Sequence, residues 1–239
     1  MSPKFVHLHL HSEYSLVDGL VRIPELISHC TQNGTAAIAL TDQSNVFGSS
    51  KFFRSAMSAG IKPIIGADLW VVDSENTGKP YKIVFLCQNN LGYKNLSILL
   101  TRAYREGQHR GIPMVHENWL TISQLTGIIC LSGGISGDIG LAFLTGSKET
   151  MLRSAAKWQA LIGERYYLEV FRTGRLQEEA YLQEVASVAE HLAIPLVATN
   201  DVRFRNADDY EVHEARVCIQ QGRMLSDPRR PKLYSAEQY

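Results

Sequence analysis

Several features are scarce in this sequence, and each scarcity excludes a class of protein. Only four cysteines occur in 239 residues, and none forms a Cys-x-x-Cys pair: Cys30, Cys87, Cys130 and Cys218. This spacing fits buried free thiols in a reducing compartment better than disulfides or a zinc knuckle. Charge of one sign is not in excess either, because 24 basic side chains face 24 acidic ones. The whole chain therefore offers no general attraction to nucleic acid or to an anionic membrane.

Long apolar runs and targeting signals are also missing. No stretch approaches the roughly 20 apolar residues of a membrane span, and no basic leader precedes an apolar segment at the N-terminus. We therefore expect a cytoplasmic protein without a membrane partner. The 45% hydrophobic content is sufficient for the core of one large domain or two small ones.

The sequence does contain an alternation of strand and helix patterns. Apolar residues recur three or four apart at 149–162 and 176–192, which predicts helices. Seven short β-rich apolar runs are candidate strands: 5–11, 36–41, 62–72, 82–87, 127–131, 166–171 and 195–199. Such alternation requires crossover connections and predicts an α/β fold with mostly parallel strands, closed as a seven-stranded (β/α)7 barrel.

The last part of the chain differs in composition. After Phe204 the residues are mixed and charged, so we expect a barrel domain at 1–204 and a connector at 205–239. Ser235 and Gln238 have the spacing of a capping box, which marks the start of a helix. Because the sequence ends at Tyr239 before that helix completes a turn, this predicts a fragment of a longer protein.

Residues that could carry chemistry lie at the predicted strand ends, which meet at one mouth in parallel α/β barrels. Period-two alternation places His7, His9 and His11 on one face of the first run. A His-x-His pair can hold one cation, and Asp18 could add an oxygen ligand. Histidines that only bond to their neighbours explain the same pattern equally well.

Carboxylates accumulate at further strand ends. Asp42 and Asp201 follow the second and seventh runs, and Asp68 lies within the third. Any one of them is more often explained by turn formation or helix capping. Their joint occurrence with the His-x-His pair indicates a functional site at the mouth of the predicted barrel.

Six motifs, taken in order, resemble one known family: 9–19 (HLHSEYSLVDG), 40–42 (LTD), 62–68 (KPIIGAD), 90–96 (NLGYKNL), 131–134 (LSGG) and 198–202 (ATNDV). Over essentially the whole chain they resemble the PHP (polymerase and histidinol phosphatase) domain that opens the polymerase III alpha subunit, the replicative C-family DNA polymerase of bacteria. The Gly-Tyr-x-Asn-Leu helix start makes the resemblance specific, because other PHP phosphoesterases generally lack it.

The resemblance implies a distorted seven-stranded barrel, and in metal-binding members a trinuclear site with nine His, Asp, Glu or Cys ligands. Asp68 replaces a glutamate of that set, and four residues match its ligands: His9, His11, Asp18 and Asp201. Four positions depart from the family pattern: Gln43, Lys82 and Arg203 stand where it has histidines, and Gly134 where it has a cysteine.

Two of these departures are cationic, and this matters more than the loss of a ligand. Lys82 and Arg203 repel a divalent ion and can neutralise the retained carboxylates themselves. We therefore predict that Arg203, together with Lys82, pairs with Asp18, Asp68 or Asp201. We expect no catalytic residue and no cofactor in this domain.

For function, the resemblance implies that the full protein performs template-directed DNA synthesis with magnesium in a region outside these residues. This domain would be a structural module that docks the proofreading exonuclease subunit and the rest of the polymerase III holoenzyme. The alternative is an active metal-dependent phosphoesterase or 3′–5′ exonuclease that uses metal-bound hydroxide. An intermediate possibility is that the domain binds a single divalent ion weakly at His9, His11 and Asp201.

Direct binding of DNA by this domain is a third possible function. Two local basic clusters could provide it: Arg102, Arg105, His109 and Arg110, and Arg223, Arg229, Arg230 and Lys232. Such clusters are more often solvated surface. Neither has enough aromatic residues interleaved in the sequence to indicate stacking on single strands.

Overall fold

The computed structural model describes residues 5–73 and 79–239. Its α-helices in this part of the chain are α1 (Ile23–Gln32), α2 (Ser49–Ser58), α3 (Asn90–Glu106), α4 (Asp138–Leu144), α5 (Lys148–Ile162), α6 (Glu178–Leu192) and α7 (Tyr210–Gln221). Its strands are β1 (Ala37–Leu40), β2 (Lys62–Val72), β3 (Tyr81–Cys87), β4 (Gln108–His109), β5 (Ile112–His116), β6 (Ile128–Leu131), β7 (Tyr166–Val170) and β8 (Leu196–Ala198). No helix among these described residues has the length and apolar character needed to cross a membrane.

The chain divides into two compact units. The first comprises Met1–Ile65, Arg172–Leu176 and Thr199–Tyr239, and the second comprises Gly66–Phe171 and Gln177–Ala198. Strand β2 contributes its first four residues to the first unit and the others to the second.

The first unit is built on β1, which pairs in parallel with residues 62–65 of β2. Helix α1 begins with a proline in its first turn, where the missing N–H costs no hydrogen bond. Its apolar residues recur three or four apart and form one buried stripe. This stripe packs with β1 and α2 in a core of buried side chains that includes Ile23, Leu26, Ile38, Leu40 and Phe52.

The second unit contains a mixed sheet in the order β4-β5-β2-β3-β6-β7-β8. Three of its pairings are parallel, β2 with β5, β6 with β7, and β7 with β8. The other three are antiparallel, β2 with β3, β3 with β6, and β4 with β5. Its core includes Trp158 of α5, whose ring lies 6.4 Å from that of Phe85 and 6.2 Å from that of Tyr166.

The Gly-Tyr-x-Asn-Leu motif has a structural explanation in the second unit. Asn89 caps α3 by accepting a hydrogen bond from the Gly92 N–H. A Cβ atom at Gly92 would lie 1.9 Å from the Gly127 carbonyl oxygen, so only glycine fits there. Asn95 donates to the Thr126 carbonyl at 3.0 Å, and Leu96 is fully buried. The motif therefore fastens α3 to the segment that leads into β6.

The predicted α/β class is confirmed, but the strand count and the closure need correction. The described residues contain eight strands rather than seven, because the hairpin of β4 and β5 adds two strands without a strand pattern in its sequence and one predicted strand is absent. The predicted strand at 5–11 is not a regular strand. Leu10 makes one isolated bridge to Val202, and its N–H donates to the Thr41 hydroxyl rather than to a carbonyl. Within residues 5–73 and 79–239 the strand ladders do not close a ring.

Candidate functional site

The predicted His-x-His pair lies in the first unit, in an extended segment held by its neighbours. The His11 N–H donates to the Val202 carbonyl at 2.9 Å, and the Val202 N–H donates to the His9 carbonyl at 3.0 Å. These two bonds fix His9 and His11 beside residues 201–203. Both imidazoles are buried, and their ring centroids are 5.6 Å apart.

A tight loop between His11 and Gly19 brings the Asp18 side chain against His11. At Gly19 a Cβ atom would lie 1.8 Å from the Ser12 carbonyl oxygen, so the loop closes only with glycine at this position. His11 Nδ1 lies 2.8 Å from Asp18 Oδ1 and 2.9 Å from Ser15 Oγ. His11 is therefore held by two polar partners of the same loop.

Arg203 is the central cation of the first unit. Its side chain is 2% exposed, and its guanidinium donates to Asp201 Oδ1 and lies 3.4 Å from Asp18 Oδ2. Burial lowers the pKa of Arg203 to about 10, so the side chain stays protonated at neutral pH. A permanent positive charge thus lies between two buried carboxylates.

A second arginine completes the balance of charge. Arg175 NH1 lies 3.1 Å from Asp201 Oδ2, and its side chain is 14% exposed. His9 Nε2 is 3.3 Å from Asp201 Oδ1 but without hydrogen-bond geometry. Two carboxylates, those of Asp18 and Asp201, therefore face two guanidinium groups.

Residues near the C-terminal end of the chain supply further donors to the same carboxylates. The Tyr234 hydroxyl donates to Asp18 Oδ2 at 3.0 Å. The Gln238 amide donates to Asp201 Oδ2 at 2.9 Å and to the Asp201 carbonyl at 3.1 Å. Gln238 is fully buried, and the Ser235 hydroxyl donates to the Thr173 carbonyl. The segment that contains Tyr234 and Gln238 is thus bound directly to the acids of the site.

The second unit contains a second ion pair between an acid and a cation that replaces a family ligand. Lys82 Nζ lies 2.7 Å from Asp68 Oδ2, with the Asp68 side chain fully buried and that of Lys82 13% exposed. In the β2–β3 ladder Lys82 is directly opposite Trp70, so Asp68 is its diagonal neighbour on the same face. The ammonium also lies 5.2 Å from the centroid of the Trp70 ring, a cation–π distance.

The other two departures from the family pattern have local explanations. A Cβ atom at Gly134 would lie 2.1 Å from the Phe171 ring, so that ring takes the space that a cysteine side chain would need. Gln43 lies in the first unit, where its N–H donates to the Ser15 hydroxyl at 2.8 Å. Its side-chain amide lies 3.4 Å from the Ser44 hydroxyl.

The arrangement in the first unit does not fit the metal ions that the resemblance implies. Each carboxylate oxygen of Asp18 and Asp201 already faces a hydrogen-bond donor or a cation. A divalent ion in the same place would meet the buried guanidinium of Arg203 at short range, and the repulsion would be large in a region of low dielectric.

The ion pairs predicted from the sequence are thus confirmed. Arg203 contacts both Asp18 and Asp201 in the first unit, and Lys82 contacts Asp68 in the second. Sequence reasoning missed Arg175, Tyr234 and Gln238. Arg175 follows the end of β7, so the rule applied to other strand ends could have found it. The contacts of Tyr234 and Gln238 with the acids had no local signal, because their partners are distant in sequence.

Comparisons with known proteins identify the family that the chain resembles. Residues 7–173 match the family described as "PHP domain". The chain is 45% identical over 239 residues to the DNA polymerase III subunit alpha of Pseudomonas fluorescens, covering all of this chain and 20% of the relative. The corresponding protein of Vibrio cholerae is 44% identical over 237 residues, covering 99% of this chain and 20% of that one. The chain therefore spans about a fifth of the length of the curated relatives it matches.

A solved structure supports the fold alone. An amidohydrolase from Chromobacterium violaceum, with bound sulfate and no metal, superimposes with a TM-score of 0.52 and 16% identity. The match covers 88% of this chain and 96% of the other. Since the family match extends over most of the residues that build the strands, helices and acidic positions described above, the chain belongs to the PHP domain family.

Proposed function

We propose that this chain is the PHP domain of a DNA polymerase III alpha subunit and acts there as a non-catalytic structural module. Identity above 40% to alpha subunits of several bacteria supports the assignment to that protein. Template-directed DNA synthesis, with magnesium, would be performed in the cytoplasm by parts of the protein outside these residues. The domain would hold the polymerase together and dock the proofreading exonuclease subunit.

One observation carries the non-catalytic part of the proposal. Arg203 is buried between Asp18 and Asp201, where PHP metalloenzymes would need free carboxylates and a histidine. Lys82 neutralises Asp68 in the same manner. Side-chain cations thus take over the charge compensation that metal ions would otherwise provide, and the acids remain as architecture. Ion pairs of this kind would stabilise the fold that metal ions once stabilised, but they would not support hydrolysis.

Metal analysis of the purified chain tests the proposal. The protein is treated with a chelator, reloaded with manganese, passed through a desalting column and analysed by inductively coupled plasma mass spectrometry. We expect much less than one ion per chain. Retention of two or three ions per chain would contradict the proposal, and one ion lost on introducing His9→Ala would support the single-ion alternative.

A matched variant makes a negative result informative. In Gln43→His/Lys82→His/Arg203→His the three lost histidines are restored, so this chain should hold more manganese than the natural sequence does, provided that circular dichroism shows an unchanged fold. A single-turnover nuclease assay with manganese then addresses activity. Cleavage by the natural chain that is abolished by His9→Ala would establish the phosphoesterase or exonuclease alternative.

A further inference from the structure

Residues 231–239 of the first unit form neither helix nor strand. The capping-box spacing of Ser235 and Gln238 is used here to close a turn. The Ser235 N–H donates to the side-chain oxygen of Gln238 at 3.0 Å, and the Glu237 N–H donates to the Ser235 hydroxyl at 3.3 Å. Residues 231–233 and Glu237 are exposed, whereas Gln238 is fully buried. The turn therefore lies at the surface and inserts one polar side chain into the interior.

The inserted side chain of Gln238 makes contacts that need an amide. Its oxygen closes the turn, and its N–H group donates to Asp201 Oδ2 at 2.9 Å and to the Asp201 carbonyl at 3.1 Å. The Arg203 N–H in turn donates to the Gln238 carbonyl at 2.8 Å. A glutamate could close the same turn. It would have no N–H group to offer, and it would set a second carboxylate against Asp201.

Tyr234 binds the other buried acid from the start of the same segment. Its hydroxyl donates to Asp18 Oδ2 at 3.0 Å. Its ring packs edge-on against the ring of His213, with the centroids 4.6 Å apart. His213 is fully buried, and its Nε2 donates to the Asp18 carbonyl at 2.9 Å. The two ends of the segment thus hold the two acids of the site.

We propose that residues 234–238 are a latch, which shields Asp18 and Asp201 from solutes and opens independently of the rest of the first unit. Any ligand of these acids would first have to displace the latch. Individual hydrogen bonds beside an exposed flank, such as 231–233, are typical of segments that open locally. Helix α1 and strand β1 are held instead by a core of buried apolar side chains. The proposal goes beyond the structural role argued above and rests on these contacts, so the metal analysis and the experiments on the latch can fail separately.

Hydrogen exchange, followed by mass spectrometry with electron-transfer fragmentation, tests whether the latch opens alone. Gln238→Glu keeps the turn but opposes Asp201, so exchange of the Arg203 N–H should rise about 100-fold at neutral pH. Tyr234→Phe removes one hydroxyl donor and keeps the ring, so the rise should be about tenfold. Exchange in α1 and β1 should stay within about twofold of the natural chain in both variants.

Chemical access to the acids provides a second measurement. A water-soluble carbodiimide with glycine ethyl ester should modify Asp18 and Asp201 slowly in the natural chain. In the variants the modification should be faster by the same factors as the exchange, because both reactions need an open latch. Asp208 is exposed and serves as the internal reference, which should react equally in all chains. The matched control is Gln220→Glu, the same substitution at an exposed position of α7, and it should behave as the natural chain does in both experiments.

The proposal is overturned if Gln238→Glu leaves exchange of the Arg203 N–H unchanged. It is also overturned if exchange rises equally throughout the first unit, because the segment would then be part of the core and not a latch. Faster exchange without faster modification of Asp18 and Asp201 would contradict it as well, since other residues would then shield the acids.

Discussion

Two clusters in this molecule each contain a cation that lies between two acids, and the two cations differ in exposure. In the first unit the Arg203 side chain lies between two carboxylates and is 2% exposed. In the second unit Lys157 lies 2.9 Å from Glu117 and 3.6 Å from Asp138, and its side chain is 37% exposed. In each cluster one cation thus lies between two acids, but Lys157 is much more exposed to water than Arg203.

The difference in exposure determines what each cation does. Removal of one partner from a buried ion pair leaves an uncompensated charge in a medium that solvates it poorly. At an exposed pair, water and salt replace most of the lost interaction. Arg203 should therefore contribute strongly to the stability of the fold, whereas Lys157 should contribute little.

Arg203→Ala should lower the free energy of unfolding by about 3–5 kcal/mol, because Asp18 and Asp201 lose the cation between them. Urea unfolding followed by circular dichroism measures the change. Arg205→Ala is the matched control, since Arg205 is 41% exposed and pairs with Glu25 at 3.1 Å. The control should lose less than about 1 kcal/mol. Equal losses in the two variants would show that burial does not decide the outcome.

Lys82→Met should cost about 2–3 kcal/mol, because it leaves the fully buried carboxylate of Asp68 without its charged donor. The double variant Lys82→Met/Asp68→Leu removes both charges and should recover much of the loss, since two apolar groups can pack in place of an ion pair. Urea unfolding again provides the measurement. A double variant less stable than Lys82→Met would mean that Asp68 has a role that does not depend on Lys82.

The sequence predicted the regular elements well where a single pattern dominated. The β-rich run at 62–72 is long enough to outweigh Gly66 and Asp68 within it, and β2 occupies those residues. The β4–β5 hairpin was missed because Gln108 to His116 mixes charge, glycine and proline, and pairing across a two-residue turn compensates for the poor pattern. The strand predicted around Leu10 is wrong. The Leu10 N–H donates to the side-chain hydroxyl of Thr41, so a regular backbone hydrogen bond of a strand pair is missing there.

The site was predictable to the extent that charge alone specifies it. Where a cation replaces a metal ligand and the acidic ligands remain, an ion pair between them is expected. This argument identified Arg203 and Lys82. The contacts of Tyr234 and Gln238 were not predictable. They join residues 216 and 37 positions apart, and no local pattern encodes such a separation. Nor could the sequence place Trp119 against Arg102, a contact that depends on how α3 and β5 pack.

Lys157→Ala should change the free energy of unfolding by only about 0–1 kcal/mol at neutral pH, since the side chain is more than a third exposed. Tyr81 also donates to Glu117 at 2.7 Å, so that carboxylate keeps a partner in the variant. Thermal unfolding of this variant beside Arg203→Ala provides the direct comparison. A loss as large as that of Arg203→Ala would contradict the contrast between the two clusters.

The smallest effect concerns the pH dependence of Asp138. Burial raises the pKa of its carboxyl above the ordinary 3.8, and Lys157 offsets part of the rise. The folded state therefore binds this proton more tightly than the unfolded state does, so stability falls as the pH rises from about 4 until Asp138 ionises in the folded protein. Lys157→Ala should enlarge the fall and extend it to higher pH, because it removes the main opposing charge and so raises the pKa of Asp138 in the folded state further. Asp138→Asn should abolish this component in both backgrounds. Urea midpoints at closely spaced pH values measure it, and identical pH profiles for Asp138→Asn and the natural chain would mean that burial does not perturb this acid.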